Sequence, residues 1–259
     1  MKPSDQLLIL AQIAHAAGLA IMEIYNSDFK STIKADQSPV TAADEVAEAI
    51  ILARLGNALP VIAEEQMATG KQTKISDAFY LVDPLDGTKE FISRNGEFTV
   101  NIGQIENGHP TKGVVYAPAL GELYIGEFGS GAFQSKLLVN EPFSAERFTA
   151  INARALPATG ATVLASRSHL DKDTENFIAQ TKVEKLINAG SSLKFCRIAS
   201  GMADLYPRFG RTMEWDTAAG HAVLAAAGGT VVQPNGTAFV YGKAEQSFAN
   251  GPFIARGKL

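Results

Sequence analysis

Cysteine is nearly absent: Cys196 is the single thiol in 259 residues. A disulfide within the chain is therefore excluded, and the composition fits a reducing compartment. Cys196 lies in the apolar run Leu193-Lys194-Phe195-Cys196 and reads as a small buried residue. Histidine is scarce too. His15, His109, His169 and His221 are scattered, and no His/Cys cluster has zinc spacing. Positive charge is in short supply: 23 Lys+Arg against 27 Asp+Glu gives a formal net charge of −4. Without a basic stripe, the chain is a poor partner for a nucleic acid polymer. A small phosphorylated ligand stays open, because metal ions can supply positive charge locally.

A Walker-type glycine loop with its lysine is missing, which argues against a nucleoside-triphosphate transferase. Long apolar runs are missing as well. Residues 7–22 are rich in Leu, Ile and Ala, but Gln12, His15 and Gly18 interrupt them, short of a bilayer span. An amphipathic helix is the better reading, and no integral membrane segment is expected. Met1-Lys2-Pro3-Ser4-Asp5 has neither the basic nor the apolar region of a signal peptide. The expectation is a cytoplasmic protein. Peripheral contact with the cytoplasmic side of the inner membrane stays open, as does the oligomeric state.

The remaining composition, 46% hydrophobic and 19% charged, is that of an ordinary soluble globular protein able to bury a large core. Ser4-Asp5 caps an expected helix over 5–26. Residues 28–40 read as a loop or short strand pair. Thr41, with Asp44 three residues on, marks a capping box for a helix to Asn57. Val61–Ala63 is a short strand leading to Glu64-Glu65, and 67–78 reads as polar and mobile. A strand over 79–83 precedes hairpin strands at 97–105, 112–117, 121–126 and 131–135. The second half alternates: strand 161–165, helix 170–182, strand 184–188, helix 191–202, strand 204–206, helix 216–227, strand 230–233. The pattern predicts a layered α/β (α+β) fold with helices on sheet faces, in two lobes, 1–145 and 146–259. The less regular stretch 140–158 is the boundary.

The most informative segment is Asp83-Pro84-Leu85-Asp86-Gly87-Thr88, at the end of an apolar strand. Asp83 and Asp86 can turn toward one point, and the Pro84-Leu85 bend exposes a carbonyl. Gly87 and Thr88 offer backbone N–H groups and a hydroxyl at an expected helix start. Hard cations want clustered oxygens, and phosphates want N–H groups at a helix N-terminus. Three further acidic positions join this segment: Asp44, Glu64-Glu65, and Asp216 in Glu214-Trp215-Asp216-Thr217-Ala218-Ala219-Gly220. Singly, each has a bland explanation as a cap or a solvated acid. Together they would repel one another unless divalent cations neutralised them, and Mg²⁺ fits oxygen-only ligation.

Glu64-Glu65, the segment 83–88 and Trp215–Gly220 resemble, in order, the three motifs of the lithium-sensitive, magnesium-dependent inositol monophosphatase superfamily. The likeness covers nearly the whole chain. Finer features are similar to its bacterial 3'(2'),5'-bisphosphate nucleotidase branch, the CysQ type. These include Ser38–Asp44, Lys89-Glu90-Phe91-Ile92, Asn95–Ile102, Gly113–Pro118, Ser166-Arg167-Ser168-His169, Gly190–Phe195 and Leu205–Gly210. Lys89-Glu90 is the discriminating pair. Ala63 departs from the serine or glycine common there.

The resemblance implies an αβαβα sandwich and a phosphomonoesterase acting on adenosine 3',5'-bisphosphate in sulfate assimilation. It assigns Glu64, Asp83 and the Leu85 carbonyl to one Mg²⁺, and Asp83, Asp86 and Asp216 to a second. A third, weaker Mg²⁺ near Glu64 stays open. Thr88, hydrogen-bonded to Asp44, would orient and deprotonate the attacking water beside Glu64. Gly87 and Thr88 would bind phosphate oxygens. Ser166, His169, Lys194 and Arg208, with Glu90, Gly190 and Ser191, would contact the nucleotide. An inositol phosphate or sugar bisphosphate phosphatase of the same fold is the near alternative, and a non-catalytic nucleotide-binding regulator the distant one.

Overall fold

The computed structural model describes residues 2–28, 31–33, 39–71, 73–166 and 171–258. Helix α1 (Asp5–Tyr25) starts where the Ser4 side chain accepts from the Leu7 N–H. The antiparallel pair β1 (Ser31–Ile33) and β2 (Pro39–Thr41) precedes α2 (Ala42–Leu55). Next come β3 (Val61–Ala63), α3 (Glu64–Ala68), β4 (Ala78–Asp86) and α4 (Thr88–Ile92). Strands β5 (Thr99–Glu106), β6 (His109–Ala117), β7 (Glu122–Glu127), β8 (Gly131–Lys136) and β9 (Thr149–Ile151) follow. They complete a seven-stranded sheet in chain order, antiparallel except for β3 beside β4.

The second half holds β10 (Ala161–Ala165), α5 (Lys172–Ala179), β11 (Val183–Asn188), α6 (Leu193–Ala199), β12 (Leu205–Arg208) and β13 (Thr212–Met213). It ends with α7 (Glu214–Ala226), β14 (Thr230–Val232), β15 (Ala249–Asn250) and β16 (Phe253–Arg256). Its mixed five-stranded sheet runs β11-β10-β12-β16-β14, and β13 pairs separately with β15.

Alternation along the strands splits the core in two. Tyr80, Val82, Val100, Ile102, Val114 and Tyr116 join the apolar faces of α1 and α2. Phe79, Leu81, Ile105 and Val115 join α6, α7 and the second sheet. With α5 packed on β12, the layers are helix, sheet, helix, sheet, helix, as expected for an αβαβα sandwich. α1 is long and apolar enough, by length and composition, to cross a membrane. Its Leu7, Leu10, Ala11, Ala14, Ala17 and Ile21 are buried within the protein.

α7 lies unusually close to the first sheet, for a reason written in small residues. Gly103, Gly113 and Gly126 sit on successive strands beneath it. A Cβ on Gly103 would stand 2.8 Å from Ala218 Cβ, and one on Gly126 would stand 2.6 Å from Val223 Cα. A Cβ on Gly113 would run into the Ala219 carbonyl. On the helix's other side Gly220 meets the Phe195 ring. The Ala218-Ala219-Gly220 run thus fits α7 between two layers and sets the height of Asp216.

Several boundaries differ from the sequence pattern. Residues 67 and 68 are helical, because Glu64–Ala68 forms α3, and β4 begins at Ala78. The helix expected over 170–182 is α5, capped by Asp171, whose side chain accepts from the Thr174 N–H. The helix expected over 191–202 is the shorter α6. β12 runs on to Arg208, and α7 starts at Glu214, so Asp216 is inside its first turn. β9, β13, β15 and β16 were not anticipated. Each of the four is short, and its pairing partner is remote or lacks an adjoining turn signal.

Candidate active site

The site begins with strand register. Parallel pairing sets Ala63 beside Val82, so the next residues, Glu64 and Asp83, stand side by side where β3 ends. On the other edge of β4, Asp83 faces Asn101 and Asp86 faces Thr99. Three steps along β4 match two along β5, so Pro84-Leu85 carries a bulge. The extra residue turns Asp83 and Asp86 to the same side. The Leu85 N–H donates to Asp83 Oδ1 at 3.0 Å and fixes that carboxylate.

α7 delivers the remaining acid. Asp216 Oδ2 accepts from the Met213 N–H at 2.7 Å, a capping interaction that orients the side chain. Carboxylate oxygens of Glu64, Asp83 and Asp216 lie within 4.8 Å of one another. Burial, then the neighbouring carboxylates, push Asp83 well above the usual aspartate range, and burial with Asp86 and Glu64 does the same to Asp216. Such a group must take up protons or cations. Its donors are all oxygens, which suits a hard divalent ion and not zinc.

Asp86 stands beside this trio. Its Oδ2 accepts from the Ser192 N–H at 2.7 Å, the Ser192 hydroxyl at 3.2 Å and Asn101 Nδ2 at 3.3 Å. Burial pushes its pKa up to about 6, against the pull of Lys194 and Asn101. The Ser192 hydroxyl is also 2.8 Å from the Asp216 carbonyl, so one serine spans both acid-bearing segments. Thr88 Oγ1 donates to Asp44 Oδ1 at 3.3 Å and lies 3.4 Å from the Leu85 carbonyl. Gly87 adopts the left-handed conformation, φ 90°, and a Cβ there would strike Ser191 Oγ.

A cleft of about 310 Å³ opens over the acids. Glu64, Asp86, Gly87, Thr88, Glu90, Ser166, Gly190, Ser191, Lys194, Arg208 and Asp216 line it. Asp83 and Asp44 lie beneath, 1% and 2% exposed. Leu85 has a buried side chain, leaving its carbonyl as its polar contribution. The Gly190 N–H donates to Glu97 Oε2 at 3.0 Å, and the Ser191 hydroxyl lies 2.8 Å from both the Asp86 and Glu97 carbonyls. Lys194 Nζ donates to the Ala189 and Ser191 carbonyls at 3.1 and 2.7 Å, and burial lowers its pKa to about 8. His169 lies outside the described residues.

Sequence reasoning missed Asn101, Ser192, Tyr206, Arg211 and Thr217. Tyr206, Arg211 and Thr217 line the cleft. Ser192 carries a readable signal, a serine at the position that opens an apolar helix. The others become visible only when distant segments meet.

Fold and site together define a layered α/β protein with an acidic cleft, able to hold cations, lined by residues that follow strands of its two larger sheets. The chain belongs to the inositol monophosphatase family, a metal-dependent family whose model matches residues 4–256. It is 43% identical over 249 residues to the 3'(2'),5'-bisphosphate nucleotidase CysQ of Escherichia coli K12, covering 94% of this chain and 96% of that one. It is 40% identical over 252 residues to the protein of the same name from Buchnera aphidicola, covering 95% and 91%. The crystal structure of CysQ from Bacteroides thetaiotaomicron superposes with a TM-score of 0.83 at 40% identity, covering 98% and 97% of the two chains.

Proposed function

We propose that this chain is a Mg²⁺-dependent phosphomonoesterase that hydrolyses adenosine 3',5'-bisphosphate to AMP and phosphate, recycling in the cytoplasm the nucleotide released by sulfate assimilation. The observation that carries it is the trio Glu64, Asp83 and Asp216, within 4.8 Å of one another at the floor of a cleft with cationic walls. The choice of substrate rests on the nucleotidase relatives, at 40–43% identity along nearly the whole chain.

Glu64, Asp83 and the Leu85 carbonyl would hold one Mg²⁺, and Asp83, Asp86 and Asp216 a second, with a third near Glu64 left open. When bound, such ions supply the charge that makes water nucleophilic at neutral pH and steadies the leaving oxygen. The protein's own groups do the rest. Thr88 donates to Asp44, so its oxygen can take a proton from the attacking water as its own proton passes to the Asp44 carboxylate. The Gly87 and Thr88 N–H groups, which open α4, would donate to the phosphate oxygens. Ser191, Lys194 and Arg208 meet the nucleotide from the second lobe, 146–259, across from the first, 1–145.

A phosphate-release panel with and without EDTA tests this reading. Adenosine 3',5'-bisphosphate should exceed inositol 1-phosphate and fructose 1,6-bisphosphate in kcat/KM, and EDTA should abolish all turnover. A preference for inositol 1-phosphate would reverse the substrate assignment. Binding without turnover would make the chain a nucleotide-binding regulator.

A further inference from the structure

Among the described residues, four cationic side chains line the cleft: Lys89, Lys194, Arg208 and Arg211. Three have commitments to the protein. Lys194 is buried and holds two carbonyls. Arg208, 8% exposed, donates from Nε to the Gly210 carbonyl at 3.2 Å and from a terminal nitrogen to the Arg211 carbonyl at 3.3 Å. Lys89 also has a partner within the chain. Arg211 differs. Its side chain is exposed at the cleft and has no hydrogen bond or ion pair to the described residues.

The backbone beneath Arg211 is fixed nonetheless. Arg208 grips its carbonyl, and Gly210 before it is close-packed, with a Cβ there 3.0 Å from Asp171 Oδ2. Thr212 and Met213 after it pair with Asn250 and Ala249. Arg211 is therefore, among the described residues, an uncommitted guanidinium on a backbone held at both sides, at the wall that leads to the clustered acids. A nucleoside bisphosphate brings two phosphates. One goes to the acid floor with its cations, and the ribose holds the other away from it. That second anion needs a positive partner, and a free guanidinium can bind phosphate with two parallel N–H bonds.

We propose that Arg211 is a specificity-determining residue that binds the non-reacting phosphate of a nucleoside bisphosphate. The proposal rests on the nucleotidase reading above and adds a residue to it. It makes the bisphosphate preference a matter of binding the remote anion, so the effect falls in KM. AMP, the product, keeps that same remote phosphate and would meet the same guanidinium.

The test compares wild type with Arg211→Ala and Arg211→Lys in Mg²⁺. For adenosine 3',5'-bisphosphate, Arg211→Ala should raise KM about 10- to 100-fold, the range for a hydrogen bond to a charged group, with kcat nearly held. AMP inhibition should weaken in step, while inhibition by inorganic phosphate stays as in wild type. Arg211→Lys should recover part of the loss. Unchanged KM and unchanged AMP inhibition would overturn the proposal. Equal weakening of AMP and inorganic phosphate would also overturn it, since Arg211 would then act at the reacting phosphate. A wild-type protein that releases no phosphate would instead reject the nucleotidase reading. Calorimetric titration of AMP into both proteins then decides Arg211 by itself, equal affinity counting against it.

Discussion

Thr88 Oγ1 stands 3.3 Å from Asp44 Oδ1, although 44 residues separate them in the chain. The other Asp44 oxygen accepts from the Thr41 N–H and hydroxyl, both at 2.8 Å. One aspartate thus serves as the capping acid of α2 and as the partner of a hydroxyl at the cleft. The cap and the contact with Thr88 coexist on Asp44 because each uses a different carboxylate oxygen.

Removing the hydroxyl separates these roles. Thr88→Val should lower kcat about 100-fold or more, the scale of general acid–base contributions, while Mg²⁺ binding and thermal stability stay near wild type. Asp44→Asn should lose activity and also stability, since the cap weakens with it. Steady-state kinetics beside thermal melts reads both. A Thr88→Val enzyme with wild-type kcat would remove the hydroxyl from the proton path.

The clustered acids make stability depend on pH and on metal. Asp83 and Asp216 have native pKa values raised well above normal, and Asp86 is near 6. In metal-free protein the native state then binds more protons than the unfolded chain. Their contribution is fully present below the ordinary aspartate range and is lost as pH rises through the native values. Metal-free protein should therefore melt higher at pH 5.5 than at pH 7.5, and the Tm gain from Mg²⁺ should grow with pH. Asp83→Asn should abolish phosphate release and that gain, yet melt no lower than wild type in EDTA.

The glycine stripe under α7 predicts a packing defect with a chemical consequence. Gly113→Ala forces a methyl into the Ala219 carbonyl and must lift the helix. A stability loss of about 1–3 kcal/mol is expected from overpacking. Because Asp216 rides on α7, the Mg²⁺ concentration for half-maximal activity should rise too. Urea melts and a Mg²⁺ titration check the two effects together.

Much of this site was legible in the chain, and for a physical reason. Asp83, Asp86 and Thr88 fall within six residues, so one local turn brings them together. Glu64 and Asp216, each readable alone as a solvated acid or a cap, could be grouped because their segments resemble, in order, the motifs of one family. The supporting groups were not legible. Asn101 reaches Asp86 only through strand pairing, and Ser192 meets it across 106 residues. Gly103, Gly113 and Gly126 look like weak strand residues until a helix lies on them. Arg211 looks like any surface arginine until the cleft is seen beside it.

Ser192 gives that lesson an assay. Ser192→Ala removes the hydroxyl 3.2 Å from Asp86 Oδ2 and 2.8 Å from the Asp216 carbonyl, while its N–H still reaches Asp86. Groups that orient metal ligands typically alter affinity about 10- to 100-fold. A Mg²⁺ requirement raised by about tenfold, with a wild-type melt in EDTA, is the expected outcome of titration. An unchanged requirement would leave the Ser192 hydroxyl as a packing contact between the two segments, with no hold on the metal ligands.

The central claim is that acids from three separate segments meet to seat divalent ions. The most direct measurement is a crystal grown with Mn²⁺ in place of Mg²⁺ and recorded at the manganese absorption edge. The account predicts one anomalous peak beside Glu64, Asp83 and the Leu85 carbonyl and a second between Asp83, Asp86 and Asp216, both absent from crystals of Asp83→Asn. A cleft without manganese, or manganese bound elsewhere, would contradict it.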